Sequence, residues 1–316
     1  MHALRFDGSG VQLEDVAEPR PCDETVIVRV RLAGICKTDL EIVRGYMGFR
    51  GTLGHEFVGV VEEGPEELRG QRVVGEINFA CQSCPTCAQG LQRHCPHRQV
   101  MGILDADGAF ADFVRIPAAN LHPVPDRVSD EQAVFTEPLA AAFEILEQVH
   151  IEPGRDCVVF GDGKLGLLVA QVLHQAGARV VSVGRHPEKL ALVAKRDIET
   201  VLLDDWCGDQ VSLVVEATGS AEGFERAVSA LRPRGTLVLK TTVSERPSLD
   251  LAPLVINEIR VVGSRCGPFP PALRALETGS VDVGSMITER LPLSDGVEAL
   301  RRADSRGTLK VLIENS

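Results

Sequence analysis

Four cysteines lie within the segment NFACQSCPTCAQGLQRHCPHR. They have the spacing C-x2-C-x2-C-x7-C and are Cys81, Cys84, Cys87 and Cys95. Two-residue gaps allow neighbouring thiolates to converge on one tetrahedral ion, and four thiolates complete its coordination. We therefore predict a structural zinc site that leaves no position for a substrate. An iron–sulfur cluster and a pair of disulfides are the alternatives for the same residues.

Side chains that could share a second metal ion are dispersed along the chain. Cys36 in GICKTD offers a thiolate, His55 in GHE offers an imidazole, and Glu56 and Glu137 offer carboxylates. Each also has an ordinary structural explanation: core packing for the cysteine, a satisfied polar group for the histidine, and a helix N-terminus for Glu137. The residue types permit a catalytic metal centre, but their spacing alone does not require one.

The segment CVVFGDGKLGLLVAQ contains Gly161, Gly163 and Gly166 in a G-x-G-x-x-G pattern. The pattern follows an apolar strand, opens an apolar helix and precedes another strand, which is the context that dinucleotide binding requires. Its glycines permit a tight turn and a close approach of the backbone to a pyrophosphate at the helix N-terminus. A purely structural glycine turn is the alternative.

The end of the next strand, VVSVGRHPEK, bears on the choice of cofactor. NAD sites normally present Asp or Glu there for the ribose hydroxyls, whereas this chain has Gly184 followed by Arg185. The missing carboxylate removes repulsion against a 2′-phosphate, which an arginine can bind in a bidentate manner. NADP is therefore favoured over NAD, and a solvated turn arginine is the alternative.

These residues need two kinds of scaffold. The first third of the chain contains short strands, of which VIVRVRLAG is one, and predicts a barrel-like β domain. A helix is expected from Leu139, with Pro138 in its first position. Strand-like and helix-like runs then alternate, which predicts an α/β doubly wound parallel sheet, and the terminal TLKVLIEN could return to the first sheet. We predict a catalytic domain of residues 1–125 and 268–316 and a nucleotide-binding domain of residues 126–267.

Composition limits the classes of partner. The chain has 316 residues, of which 45 are acidic and 33 basic, so its formal net charge is −12. This charge repels nucleic-acid phosphates and anionic lipid surfaces. The sequence contains no apolar run of membrane-spanning length, and its first residues, MHALRFDGSG, lack the apolar stretch expected of a signal peptide. Its odd number of cysteines, nine, suits a reducing compartment. We expect a cytoplasmic protein without nucleic-acid or membrane partners.

With these residues assembled, the chain resembles the zinc-dependent alcohol and polyol dehydrogenases of the medium-chain dehydrogenase/reductase family. Eight motifs fall in the family's order: GICKTDL, GHEFVGVV, the four-cysteine lobe, GAFADFVRIP, EPLA, GDGKLG, VVEATG and GTLKVLIEN. The resemblance implies a GroES-like β-barrel catalytic domain that holds two zinc ions, a Rossmann domain, and an active site between the two. It also implies a homo-oligomer, either a dimer or a tetramer.

The resemblance assigns roles to single residues. It implies that Cys36, His55 and Glu137 bind the catalytic zinc, with Glu56 as an adjacent or exchanging ligand. Asp39 would orient His55. The implied cofactor-binding residues are Gly161, Gly163, Lys164, Leu165, Gly166, Arg185, Thr218 and Gly219.

Thr38 is expected to touch the substrate oxygen and to begin a proton relay, because its hydroxyl can accept and donate at once. Glu41 stands where many members place the histidine that ends this relay, so the proton leaves either through a carboxylate or directly to solvent. Lys37 is a cation near the expected zinc and would favour an anionic or polar substrate if it points inward; it could equally point to water.

The function implied is hydride transfer between a nicotinamide cofactor and a small secondary alcohol, a polyol or the matching carbonyl compound. A zinc-free quinone or enoyl reductase of the same superfamily is one alternative, but it has no use for both sets of metal-type residues. A non-catalytic sensor that binds nucleotide and zinc is the other alternative.

Overall fold

The computed structural model describes residues 1–22, 24–208, 210–241 and 249–315. Its chain forms two compact units. The first unit comprises Met1–Glu137, Ala272–Thr278 and Ile287–Ser316, and the second comprises Pro138–Pro271 and Gly279–Met286.

The first unit is built mainly from strands. They are β1 (His2–Phe6), β2 (Val11–Asp15), β3 (Thr25–Gly34), β4 (Gly51–Thr52), β5 (Glu56–Glu63), β6 (Arg72–Gly75), β7 (Asn78–Phe79), β8 (Gln99–Met101), β9 (Asp105–Ala106), β10 (Phe113–Pro117) and β11 (Leu121–Pro123). The second unit contains the strands β12 (Asp156–Phe160), β13 (Arg179–Gly184), β14 (Glu199–Leu202), β15 (Val211–Glu216), β16 (Leu231–Leu239) and β17 (Arg260–Gly263). Two strands then return to the first unit, β18 (Ile287–Pro292) and β19 (Lys310–Glu314).

Ten α-helices connect these strands in the described residues. They are α1 (Lys37–Val43), α2 (Pro85–Ala88), α3 (Asp130–Ala133), α4 (Thr136–Gln148), α5 (Lys164–Gln175), α6 (Pro187–Ala194), α7 (Ala221–Ser229), α8 (Ala252–Ile256), α9 (Phe269–Thr278) and α10 (Gly296–Ala303). Helix α4 begins at Thr136, so Pro138 is its third residue and not its first as expected. Proline is tolerated there because the first four N–H groups of a helix have no partner within the helix.

The largest sheet of the first unit has seven strands. Its order is β11-β6-β5-β3-β19-β18, and β10 pairs with the part of β3 that does not pair with β19. In strand β3, Val28 and Val30 are buried and Arg29 and Arg31 are exposed, whereas Ile27, on the same side as the arginines, is buried. The terminal strand β19 pairs antiparallel with β3, which places Leu312 opposite Gly34 and confirms the predicted return of the chain to the first sheet.

The second unit contains one six-stranded sheet in the order β14-β13-β12-β15-β16-β17. Every pairing in it is parallel. Numbered from β12, this order is 3-2-1-4-5-6, the arrangement of doubly wound dinucleotide-binding sheets. Its central strands are buried on both faces, as parallel strands covered by helices must be; the successive residues Val158 and Val159 of β12 are both fully buried. The structure thus confirms the predicted α/β doubly wound sheet.

In the part of the chain that the structure describes, no helix combines the length and apolar character needed to cross a bilayer.

Candidate active site

The four cysteines form one cluster, and helix α2 helps to shape it. Cys84 caps the N-terminus of α2, and its sulfur accepts a hydrogen bond from the backbone N–H of Cys87. The Sγ–Sγ distances are 3.5 Å for Cys84–Cys87, 3.8 Å for Cys84–Cys95 and 3.5 Å for Cys81–Cys95. Four sulfurs around a tetrahedral zinc ion lie about 3.8 Å apart, because each Zn–S bond is about 2.3 Å long. The donor set and its spacing fit a zinc ion.

None of the four cysteines is joined in a disulfide, so the structure does not support that alternative. Hydrogen bonding also favours the thiolate form at one corner of the cluster. The backbone N–H of Ser83 is the main cause that lowers the pKa of Cys81 to about 6. A thiolate is the form that binds a metal.

A second group forms where β3 and β5 pair. Gly34, at the end of β3, lies opposite Glu56, the first residue of β5. Cys36 follows β3 as the N-cap of α1, and His55 directly precedes β5. This register brings one ligand atom from each of Cys36, His55 and Glu56 within 4.8 Å of the other two.

The hydrogen bonds of Asp39 orient this group. Asp39 is completely buried, and its Oδ1 lies 3.1 Å from Nδ1 of His55, while its Oδ2 accepts from the backbone N–H of Cys36 at 2.8 Å. Burial lowers the pKa of His55, but the charges of Asp39 and Cys36 outweigh burial and raise it well above the usual value. With Nδ1 bound to Asp39, Nε2 is the nitrogen left for a metal.

Thr38 and Glu137, which the resemblance also assigns to this site, lie at different distances from the metal group. Thr38 is half-buried in the first turn of α1, with its Oγ1 at 3.7 Å from Sγ of Cys36. Glu137 lies in the first turn of α4 and is outside the group whose ligand atoms are within 4.8 Å of one another. The structure therefore brings Glu56, rather than Glu137, next to the thiolate and the imidazole.

Glu41 and Lys37 lie on the outer side of α1. The Oε1 atom of Glu41 accepts from Arg44 at 2.8 Å and lies 3.5 Å from Nζ of Lys37. The side chain of Lys37 is 64% exposed and also lies 3.8 Å from Asp304. Of the two orientations considered for Lys37, the structure shows the solvent-facing one.

Sequence reasoning missed Lys310, in the last strand. Its Nζ forms an ion pair with Oε2 of Glu56, and both side chains are fully buried. The same Nζ lies 5.2 Å from the ring centroid of Phe135. The only signal in the sequence was a lysine inside the apolar run TLKVLIEN, which gives no hint of its partner.

Glu56 is left with one oxygen available. In the described residues, Oε1 of Glu56 is buried and has no hydrogen-bond partner. A side chain at position 34 would crowd the carboxylate, since a Cβ there would lie 2.6 Å from Oε2. An unsatisfied buried oxygen is costly, and a cation beside the thiolate and the imidazole would satisfy it. Two of the three donors, the thiolate and the imidazole, are common zinc ligands, and the third can be one.

The three glycines of the glycine turn in the second unit have different environments. Gly161 has φ +120°, and a Cβ on it would lie 2.5 Å from the carbonyl oxygen of Ala217. A Cβ on Gly166 would lie 1.9 Å from the carbonyl oxygen of Gly161. A Cβ on Gly163 would meet nothing within 4 Å, and Gly163 caps the N-terminus of α5. Gly161 thus permits a tight turn, Gly166 allows close packing against that turn, and Gly163 leaves the helix N-terminus open. This combination fits a pyrophosphate.

The remaining nucleotide-site candidates surround this turn. Lys164 and Leu165 are the first two residues of α5. Thr218 donates from its backbone N–H and from its hydroxyl to Oε1 of Glu216, both at 2.6 Å. Gly219 has φ +78° and donates its N–H to Oγ1 of Thr241 at 2.9 Å.

Arg185 directly follows β13. Its Nη2 donates to Oε2 of Glu222 at 2.8 Å, and the Arg185 side chain is 61% exposed. Buried Lys240 donates to the carbonyl oxygen of Ala141 at 2.7 Å and to Oγ of Ser264 at 3.0 Å. We expect these bonds to make Lys240 a link between β16, α4 and the end of β17.

Comparison with known proteins agrees with this arrangement over most of the chain. Residues 22–126 match the alcohol dehydrogenase GroES-like domain, and residues 165–278 match the zinc-binding dehydrogenase family. The chain is 29% identical to D-arabitol-phosphate dehydrogenase of Enterococcus avium, with 96% of this chain and 93% of that protein covered.

Two solved structures contain nicotinamide cofactors. A protein of Sinorhizobium meliloti 1021 bound to NADP is 27% identical to this chain, with a TM-score of 0.89 and coverage of 99% of this chain and 98% of that one. A short chain alcohol dehydrogenase of Escherichia coli CFT073 in complex with NADH is 25% identical, with a TM-score of 0.90 and coverage of 99% of each chain. The chain belongs to the zinc-dependent alcohol and polyol dehydrogenases of the medium-chain dehydrogenase/reductase family, which are hydride-transferring oxidoreductases.

Proposed function

We propose that this enzyme interconverts a small secondary alcohol or polyol and the matching carbonyl compound, with NADP favoured over NAD. The observation that carries the proposal is the group formed by half-buried Cys36 with buried His55 and Glu56, in which Oε1 of Glu56 lacks a protein partner among the described residues. The relative from Enterococcus avium acts on a sugar alcohol phosphate, and this supports a polyhydroxylated substrate.

In this proposal each chain holds two zinc ions. Cys81, Cys84, Cys87 and Cys95 would hold the structural ion, and Cys36, His55 and Glu56 the catalytic one, with Glu137 as the additional carboxylate that the family resemblance assigns. A catalytic zinc ion lowers the pKa of an alcohol hydroxyl and polarises a carbonyl. The nine cysteines and the closed four-sulfur cluster also favour a cytoplasmic, reducing location for the enzyme.

The protein's own groups position the reactants and move the proton. Asp39 holds the His55 ring through Nδ1, so that its Nε2 faces the metal site. Alcohol oxidation removes a hydride from carbon and a proton from oxygen, and Oγ1 of Thr38 would accept that proton while it passes its own onward. Glu41, held by Arg44 at the surface, is a candidate for the end of this route, and direct release to solvent is the alternative.

The cofactor would bind on the second unit. The open face at Gly163 and the N-terminus of α5 would receive the pyrophosphate. Lys164, Leu165, Thr218 and Gly219 would line this site, and Arg185 would receive the 2′-phosphate of NADP. We also propose residues 126–267 as the nucleotide-binding domain, residues 1–125 and 268–316 as the catalytic domain, and a dimer or tetramer of identical chains.

The deciding experiment compares wild type with Cys36→Ser. A panel of secondary alcohols, polyols and carbonyl compounds is monitored at the nicotinamide absorbance band with both cofactors, and cofactor binding is measured separately. We expect the variant to lose hydride transfer and to retain cofactor binding. Hydride transfer that survives in Cys36→Ser, or a wild type without bound zinc, would favour a zinc-free reductase. A wild type that binds zinc and cofactor but converts no compound would favour the sensor function.

A further inference from the structure

The ion pair between Arg185 and Glu222 joins two strands that are not neighbours. Arg185 follows β13, and Glu222 is the second residue of α7, which follows β15. Both strands pair with β12, one on each side, and β12 leads into the glycine turn. The pair therefore bridges the carboxyl edge of the sheet over two strand spacings, about 10 Å, beside the turn proposed for the pyrophosphate.

Glu222 serves two arginines at once. Its Oε2 accepts from Nη2 of Arg185 at 2.8 Å, and its Oε1 accepts from Nε of Arg226 at 3.2 Å. Hydrogen bonds from Arg226 and then Arg185 lower the pKa of Glu222, so it is ionised at neutral pH. Two guanidinium groups around one carboxylate give this cluster of Arg185, Glu222 and Arg226 a net positive formal charge. The cluster is thus able to attract a second anion.

The strand end itself supplies no carboxylate to the ribose. A Cβ on Gly184 would lie 2.4 Å from Oδ2 of Asp162, so the Asp162 carboxylate occupies the space that a side chain at position 184 would need. This carboxylate accepts from the backbone N–H groups of Arg185 at 2.6 Å and His186 at 2.7 Å. Asp162 Oδ2 also lies 3.0 Å from Nδ1 of His186. These contacts fix the point from which the Arg185 side chain extends.

We propose that Glu222 is a specificity-determining residue that competes with the 2′-phosphate of NADP for Arg185. The inference rests on the nucleotide site in the proposed function. A carboxylate and a phosphate both fit the planar guanidinium fork, and the phosphate carries the larger charge. The Arg185–Glu222 pair is about half exposed, so it is weak enough to exchange. Arg226 retains Glu222 when Arg185 moves to the phosphate.

The test uses Glu222→Gln with Glu225→Gln as the matched control, because Glu225 is an exposed carboxylate on the same helix. The probes are 2′,5′-ADP and 5′-AMP, which differ only in the 2′-phosphate, together with NADPH and NADH. Calorimetric titrations at moderate salt give each dissociation constant. We expect Glu222→Gln to bind 2′,5′-ADP and NADPH about three- to tenfold more tightly, and to change the dissociation constants of 5′-AMP and NADH by less than about twofold.

A second variant links the effect to the arginine. In an Arg185→Ala background, Glu222→Gln is expected to change none of the four dissociation constants by more than about twofold. The guanidinium for which Glu222 and the 2′-phosphate compete is then absent. Equal effects of Glu222→Gln and Glu225→Gln, or weaker NADPH binding in Glu222→Gln, would overturn the role of Glu222 while leaving the dinucleotide site intact. A wild type that binds none of the four nucleotides would overturn the proposed nucleotide site as well.

Discussion

Lys310 and Glu56, 254 residues apart in the chain, form a fully buried ion pair in the first unit. The pair connects the last strand, β19, to the first residue of β5, which belongs to the candidate metal group. Lys310 occupies Oε2 of Glu56, and Oε1 has no hydrogen-bond partner among the described residues. A buried charge needs a partner because the protein interior solvates it poorly, so each of the two residues depends on the other.

Replacement of Lys310 by Met should therefore destabilise the first unit. Loss of one partner leaves an uncompensated buried carboxylate, which typically costs about 3–5 kcal/mol in free energy of unfolding. Urea unfolding of the metal-free protein measures this cost. The double variant Lys310→Met/Glu56→Gln, which removes both charges, should recover a substantial part of it. If the single variant unfolds at the wild-type urea concentration, the pair does not have the stabilising role that we assign.

Asp39→Asn should weaken zinc binding without removing any ligand. An amide at this position can keep the bond from the backbone N–H of Cys36 through its oxygen, but its NH2 group then faces Nδ1 of His55. The ring must take the tautomer that carries the proton on Nε2, which cannot bind a metal. Zinc affinity, measured by competition with a chromophoric chelator, should fall about 10- to 100-fold.

Asp304→Asn makes the same change of charge on the exposed side chain that pairs with Arg44, and it serves as the control. It should retain the wild-type affinity for zinc. A comparable loss of affinity in both variants would show that net charge, rather than the orientation of His55, governs the metal site.

Metal removal should unmask Cys81 to alkylation. Its pKa of about 6 makes it a thiolate at neutral pH, and it is exposed. Iodoacetamide followed by mass spectrometry should find Cys81 protected in the zinc-loaded protein and modified rapidly after chelation. Burial raises the pKa of Cys157 to about 12, so Cys157 should stay unmodified in both folded states.

The exposed Cys22 serves as the internal reference in this experiment, since it lies outside both metal groups. Its rate of modification should not change on chelation. A Cys81 that reacts equally fast before and after chelation would contradict a zinc ion in the four-cysteine cluster.

Alanine substitutions at two glycines of the nucleotide turn should have different effects, one on the stability of the fold and the other on cofactor binding. Gly166→Ala places a methyl group 1.9 Å from the carbonyl oxygen of Gly161 and should destabilise the second unit by about 1–3 kcal/mol. Gly163→Ala meets no protein atom within 4 Å, so its stability should stay within about 0.5 kcal/mol of wild type.

For cofactor affinity, the more sensitive position should be Gly163, the reverse of the order expected for stability. Gly163→Ala should weaken NADPH binding at least about tenfold, because its methyl group occupies the approach of the pyrophosphate. Thermal unfolding and NADPH titration of the two variants provide the measurements. Unchanged binding by a stable Gly163→Ala protein would place the pyrophosphate elsewhere.

Short-range patterns were enough to predict several features. The spacing of the four cysteines brings their sulfurs together because the intervening gaps are too short for them to diverge. The glycine turn and the alternation of strands and helices predicted the parallel sheet, since such turns and crossovers follow local rules. The family resemblance rested on the order of these motifs along the chain, and that order is a property of the amino-acid sequence alone.

Relations between distant segments depend on the folded chain. Strand register places Glu56 opposite Gly34 and brings it beside Cys36 and His55, whereas Glu137 is left outside the 4.8 Å group. Lys310 could not be assigned from its neighbours, because its partner arrives through the pairing of β19 with β3. The contact of Arg185 with Glu222 likewise follows from strand order. Register and strand order are set by packing over the whole sheet, and a local stretch of sequence does not encode them.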